Sequence, residues 1–125
     1  PKTVQGELNK ILKQTKSNKK LHLNLALNYG GRSEITEAVK KINSKKISSS
    51  KITEKLIADN LYSVGQPDPD LVIRTGGEMR LSNFLLWQVA YSELYFIKKY
   101  WPAFTPRDLD RAIEEWQRRQ RRFGK

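Results

Sequence analysis

The sequence predicts an α/β fold, a mainly parallel sheet flanked by helices, and three patterns carry that expectation. Apolar residues recur at helical spacing near the start, the middle and the end of the chain; Leu21 to Asn28 alternates apolar and polar; and Leu71-Val72-Ile73 is a short, fully apolar run of the kind that fills central parallel strands. A length of 125 residues suits one hydrophobic core, so residues 1–125 read as a single domain.

Val4, Leu8, Ile11 and Leu12 share one face of a helix over about residues 4–16, which the polar stretch Lys16 to Lys20 ends. Leu21, Leu23, Leu25 and Leu27 alternate with His22, Asn24, Ala26 and Asn28, which predicts a strand with all four leucines on one sheet face. Asn28-Tyr29-Gly30-Gly31-Arg32 breaks that pattern, and Ser33 is the expected cap of a helix buried through Ile35, Ala38, Val39 and Ile42. The polar, serine-laden stretch Asn43 to Lys51 reads as an exposed loop, followed by a short helix from Thr53 to Asn60. Pro67-Asp68-Pro69-Asp70 is a stiff turn feeding the strand Leu71 to Ile73, with Arg74 at its carboxyl end. Ser82 is the expected cap of a helix through Phe84, Leu85 and Gln88, and Glu93 to Ile97 reads as a further strand. Thr105 as cap, Pro106 at the first helical position and Asp108 in the capping-box place start a last helix, with Leu109, Ala112, Ile113, Trp116 and Phe123 on one face.

Lys and Arg number 24 against 13 Asp and Glu, a formal charge of +11, so the expected partners are anions: nucleic acid, a membrane surface or a phosphorylated small molecule. Five of those positive charges, Arg118, Arg119, Arg121, Arg122 and Lys125, stand in the last eight residues. The absence of cysteine excludes disulfides, thiolate metal sites and a cysteine nucleophile, and a single histidine argues against a zinc site. The longest apolar runs, such as Phe84 to Trp87, fall far short of the roughly 20 residues of a spanning helix, and the basic start lacks the apolar segment of a signal peptide. A soluble, cytoplasmic protein is the expectation.

In open parallel sheets ligands bind beyond the carboxyl ends of the strands, and there the chain places Arg74-Thr75-Gly76-Gly77-Glu78-Met79-Arg80-Leu81-Ser82. Two guanidinium groups can grip a diphosphate bidentately, two glycines let backbone N–H groups approach it, and Ser82 would open a helix whose N-terminus favours anions. The competing reading pairs Arg74 with Asp70 or Glu78 and leaves Arg80 solvated. Glu93, a carboxylate among aromatics, is a candidate metal ligand or a group meeting an arginine or solvent. His22 reads as a structural histidine, Asp108 and Asp110 as first-turn partners of a helix dipole, Asp68 and Asp70 as turn residues, and Trp87, Trp101 and Trp116 as core or interface.

The run Pro69-Asp70-Leu71-Val72-Ile73-Arg74-Thr75-Gly76-Gly77-Glu78-Met79-Arg80-Leu81-Ser82-Asn83-Phe84-Leu85-Leu86-Trp87-Gln88, continued by Ala90-Tyr91-Ser92-Glu93-Leu94-Tyr95-Phe96, closely resembles the cis-prenyltransferases of the undecaprenyl diphosphate synthase type. Asn28-Tyr29-Gly30-Gly31-Arg32, Trp101-Pro102 and Arg121-Arg122-Phe123-Gly124 resemble the same family in the same order, so the likeness spans the chain as the carboxyl-terminal part of such a fold. The family's Asp-Gly-Asn-x-x-Arg-Trp motif for the allylic diphosphate does not occur in residues 1–125.

The resemblance implies sequential cis-condensation of isopentenyl diphosphate onto an allylic diphosphate such as farnesyl diphosphate, with release of pyrophosphate. It implies that Arg74, Arg80 and Ser82, with Leu81 in the same contact, hold the diphosphate of isopentenyl diphosphate, and that Glu93 helps to hold Mg²⁺. Arg122 and Gly124 match a terminal R-x-G motif that reaches the neighbouring subunit's site in dimeric members, which implies a homodimer meeting around Phe84, Trp87, Tyr95 and Trp101. Peripheral membrane contact would come through the lipid product. Two other classes remain: a non-catalytic partner subunit of a heteromeric prenyltransferase, and a basic nucleic-acid-binding module, which leaves the Arg74 to Ser82 cluster unexplained.

Overall fold

The computed structural model describes residues 2–119. Among them are helices α1 (Lys2–Thr15), α2 (Gly31–Ser44), α3 (Glu54–Ala58) and α4 (Pro106–Arg118), strands β1 (Leu71–Thr75) and β2 (Glu93–Ile97), and short 3-10 turns at Ser49–Lys51 and Trp101–Ala103. The strands pair in parallel, with Leu71 opposite Glu93, Arg74 opposite Phe96 and Thr75 opposite Ile97. The mixed α/β architecture with a parallel sheet is thus the one expected, and both strands form from the β-branched and aromatic runs that indicated them. Helix α4 packs on β2 and α2 on α3. The buried apolar residues are Ala38 and Ile42 of α2, Leu61, Val89 and Ala112 of α4.

Two local signals are built as read. Thr53 accepts the Leu56 N–H at 3.1 Å and opens α3. At α4, the Thr105 N–H and hydroxyl donate to Asp108 Oδ2 at 2.9 and 2.6 Å, so the first turn is closed by its own carboxylate. Asp108 does more than offset a helix dipole: it is buried, and Lys99 Nζ donates to both carboxylate oxygens at 2.8 Å. The hydrogen bond from Lys99, with those from Thr105, holds the Asp108 carboxyl well below the usual carboxylate range.

Four expectations fail. Leu21 to Leu27 form no strand: the segment runs as irregular backbone with these leucines 63–78% exposed, tied down by reciprocal Asn24–Gln66 side-chain hydrogen bonds of 2.8 and 3.2 Å. Alternation supplies a face but not a ladder, and neither described strand lies beside it. The face Val4–Leu12 of α1 is likewise uncovered, with no buried residue in that helix. Ser33 does not cap α2, which begins two residues earlier with Gly30 as N-cap; the buried row is Gly31, Glu34, Ala38 and Ile42, and Val39 stands 54% exposed. Ser82 starts no helix. Residues 82–91 turn repeatedly, and Ser82, Asn83 and Leu85 have φ of 47°, 66° and 46°, left-handed values that a right-handed helix cannot incorporate.

Trp101 is 72% exposed and stacks on Phe104 at 5.7 Å, so it is not a core residue of the described chain. His22 is exposed on the irregular segment. Phe123, Arg122 and Gly124 lie outside the described residues. Among the described residues no helix is long and apolar enough to cross a membrane.

Candidate functional site

The alternation of β1 places Val72 and Arg74 on one sheet face, alongside Phe96 of β2. Arg74 Nη1 donates to the Arg80 carbonyl and, at 3.0 Å, to Ser82 Oγ, so three of the residues singled out in the sequence converge. Ser82 adjoins, through its bond to Arg74, a cleft of 180 Å³ that Arg74 and Arg80 line with Val72, Ile73, Leu81, Phe84 and Phe96. Its walls are apolar and its mouth carries two guanidinium groups. Arg80 is ion-paired with the adjacent Glu78, both well exposed, so half of the competing reading also holds. The Arg74 guanidinium is bonded to the loop that carries Ser82.

Two proposed phosphate donors are placed otherwise. Gly76 and Gly77 adopt φ of 92° and 76°, values that suit glycine, but their N–H groups donate to Lys99 O at 2.8 Å and Ile97 O at 3.0 Å. They extend the β1–β2 ladder rather than cradle an anion. The helix N-terminus expected at Ser82 is absent for the conformational reason given above, which leaves Arg74, Arg80 and the Ser82 hydroxyl as the candidate anion-binding groups of this cluster.

Glu93 stands apart. Its register partner is Leu71, three residues from Arg74 along β1 and on the opposite sheet face, a separation of ~10 Å along the strand. Arg119 Nη1 donates to Glu93 Oε2 and to Leu94 O, both at 2.9 Å, and Arg119 Nη2 to Glu115 Oε1 at 2.5 Å. These hydrogen bonds, the Glu93 one foremost, raise the affinity of the Arg119 guanidinium for its proton still further. Arg119 was counted in the sequence only as tail charge; the structure makes it the clip between the end of α4 and β2. A hard carboxylate oxygen suits Mg²⁺, and Glu93 offers one that Arg119 already engages; no group of three or more His, Asp or Glu among the described residues could hold a metal ion. Glu93 is thus one donor toward the metal that the resemblance implies, and the described residues hold no complete ligand set for it.

Sequence reading missed Glu34. Its side chain is buried and accepts hydrogen bonds from the Tyr29 hydroxyl at 2.5 Å, the Tyr62 N–H at 2.7 Å and Gln88 Nε2 at 3.1 Å; Gln88 Nε2 also donates to Ser63 Oγ at 2.9 Å. Burial, then the bond and charge of Glu34, push the Tyr29 hydroxyl well above its ordinary value. This knot lines a larger cavity of 450 Å³ between the Asn24–Tyr29 segment, the Tyr62–Pro69 loop and Phe84, so Phe84 separates it from the arginine cleft. The signal was present: Glu34, Ala38 and Ile42 share an i, i+4, i+8 row, the row that the helix buries.

The prenyltransferase family model described for undecaprenyl diphosphate synthase matches residues 1–124. An isoprenyl transferase of Chlamydia pneumoniae is 52% identical over 129 residues, aligning 100% of this chain with 52% of that protein. A tritrans,polycis-undecaprenyl-diphosphate synthase (geranylgeranyl-diphosphate specific) of Methanocaldococcus jannaschii is 49% identical over 131 residues, aligning 100% of this chain with 47% of that protein. The solved structure of lavandulyl diphosphate synthase from Lavandula x intermedia, in complex with dimethylallyl diphosphate, has a TM-score of 0.92 at 36% identity over 100% of this chain and 56% of that one. The chain spans about half the length of the curated relatives it matches. Sequence identity of this order, the shared fold and a family match from end to end agree, and the chain belongs to the undecaprenyl diphosphate synthase family of prenyltransferases.

Proposed function

We propose that the chain is the carboxyl-terminal part of a cis-prenyltransferase and supplies its isopentenyl diphosphate half-site. The observation that carries this reading is that Arg74, bonded to the Arg80 carbonyl and the Ser82 hydroxyl, lines with Arg80 a cleft whose other walls are Val72, Ile73, Leu81, Phe84 and Phe96. A diphosphate is matched by the two guanidinium forks, and the Ser82 hydroxyl, which accepts from Arg74, keeps its own O–H to donate. The five-carbon unit lies against the apolar wall. Held there, its terminal double-bond carbon attacks C1 of an allylic diphosphate: a carbon–carbon bond forms, the allylic C1–O bond breaks, pyrophosphate leaves and a proton is lost from the isopentenyl unit. The chain's residues contribute by orientation, turning a bimolecular encounter into a positioned one.

The allylic diphosphate is held by residues beyond this chain, and residues 1–125 form one folding unit of the larger catalytic domain. On this reading the enzyme is a cytoplasmic homodimer, and exposed Phe84 and Trp101, 41% and 72% accessible, are part of the contact. Isothermal titration of isopentenyl diphosphate into the chain tests the half-site directly. Binding weakened more than about tenfold by Arg74→Ala is expected, the loss of one charge-assisted contact. Equal affinity of wild type and Arg74→Ala, or displacement of the ligand by duplex DNA, would return the cluster to a structural or nucleic-acid role.

A further inference from the structure

We infer that Asn83 is a positioning residue of the diphosphate cluster, clamping the loop that carries Ser82 to the amino end of α2; the inference rests on the diphosphate reading of Arg74, Arg80 and Ser82. Asn83 is adjacent to Ser82 and meets α2 through both of its oxygens. Its carbonyl accepts the Gly31 N–H at 2.7 Å and its Oδ1 accepts the Arg32 N–H at 2.9 Å. These are the first N–H groups of α2, which have no partner inside the helix, so a residue 51 positions away caps it. Gly30 as N-cap supplies no side-chain bond of its own.

The approach is too close for side chains on α2. A Cβ on Gly31 would stand 2.9 Å from Leu86 Cγ and 3.0 Å from Leu86 N, and one on Gly30 would stand 2.7 Å from Asn83 Nδ2. The need for glycine here is steric contact, since Gly30 has an extended φ of −155°. The motif Asn28-Tyr29-Gly30-Gly31-Arg32 contributes no group to the arginine cluster, yet its glycine pair is what lets the helix end seat Asn83.

The loop needs such a clamp because Ser82, Asn83 and Leu85 all have left-handed backbone, which side-chain-bearing residues hold only where their surroundings enforce it. Asn tolerates this region better than Ser or Leu, which suits it to the clamp position. One turn further along α2, Glu34 accepts from Gln88, so the same helix grips the loop on both sides of Leu85. Arg74 then finds Ser82 Oγ at 3.0 Å because α2 holds the loop there.

The test uses a full-length enzyme carrying this chain as its carboxyl-terminal part, and separates the acceptor from the backbone. Asn83→Gly keeps the left-handed conformation but removes Oδ1, whereas Asn83→Asp keeps the acceptor. Asn83→Gly is expected to raise KM for isopentenyl diphosphate about tenfold, with KM for the allylic diphosphate unchanged and Asn83→Asp near wild type. Hydrogen exchange at the Arg32 amide should quicken in Asn83→Gly alone, with the Gly31 amide, held by the retained carbonyl, as the internal control. If Asn83→Gly does not fold, Gly31→Ala, which displaces Leu86, is read for the same split between the two KM values. Arg74→Lys is measured alongside: if it raises KM for isopentenyl diphosphate and the clamp variants do not, the clamp is wrong and the diphosphate site stands; if neither changes it, the site reading fails with it. Both KM values rising together in Asn83→Gly overturns positioning in favour of a general loss of structure.

Discussion

A double-mutant cycle on Arg74 and Ser82 tests whether the two act as one anion clamp. Arg74 Nη1 reaches Ser82 Oγ at 3.0 Å, and the same nitrogen holds the Arg80 carbonyl, so the guanidinium orders the loop beside it and, on the proposed reading, also meets the ligand. Arg74→Lys keeps the charge and loses the planar fork; a hydrogen bond to a charged group is worth about 1.5–3 kcal/mol, which lowers kcat/KM for isopentenyl diphosphate about 10- to 150-fold. Ser82→Ala removes a single hydroxyl, about 1 kcal/mol or about fivefold. Side chains in direct contact do not contribute independently, and the double variant should be less impaired than the product of the two by about 1 kcal/mol. The assay is steady-state condensation in the full-length enzyme with isopentenyl diphosphate varied and the allylic diphosphate saturating. Effects that multiply to within about 0.3–0.5 kcal/mol, the additivity expected of separate sites, would refute the shared clamp.

Glu34→Ala should lower stability by about 2–6 kcal/mol in urea unfolding, because it strips the acceptor from the Tyr29 hydroxyl and the Tyr62 N–H, each about 1–3 kcal/mol, while the Gln88 amide keeps Ser63 Oγ. Glu34→Gln, which can still accept from the Tyr62 N–H, should lose less than half of that, and equal losses in the two variants would show that the bond to the Tyr62 N–H adds nothing to the knot. The Asp108 carboxyl is held below its ordinary value in the folded chain, so the unfolded chain binds its proton more tightly; the stabilisation is complete above the ordinary carboxylate range and is lost as pH falls below about 4. Melting temperature followed down through that window should therefore drop more steeply for wild type than for Asp108→Asn. Parallel slopes would remove the Lys99–Asp108 pair from the acid response.

The sequence by itself determined what is decided within a few residues or by chain identity. The β-branched run at Leu71 to Ile73, the Thr105-Pro106-Asp108 start of α4 and the Thr53 cap of α3 form because the deciding contacts lie within one turn or one strand. The order Arg74 to Ser82 also put the candidate anion-binding side chains at the carboxyl end of a strand, and the resemblance supplied the ligand proposed for them. Only the tertiary structure decided the rest. Leu21 to Leu27 carry a strand pattern without a neighbour to hydrogen-bond, so the alternation alone makes no strand. The segment after Ser82 reads as a helix, yet Asn83 is bonded to α2 across 51 residues and the backbone is bent left-handed. Glu93 reads as a metal ligand or a group meeting an arginine or solvent, and only the fold shows that Arg119, 26 residues on, is bonded to it. In each case the deciding partner is distant in sequence, and a hydrogen bond or ion pair between distant residues leaves no periodicity for local patterning to register.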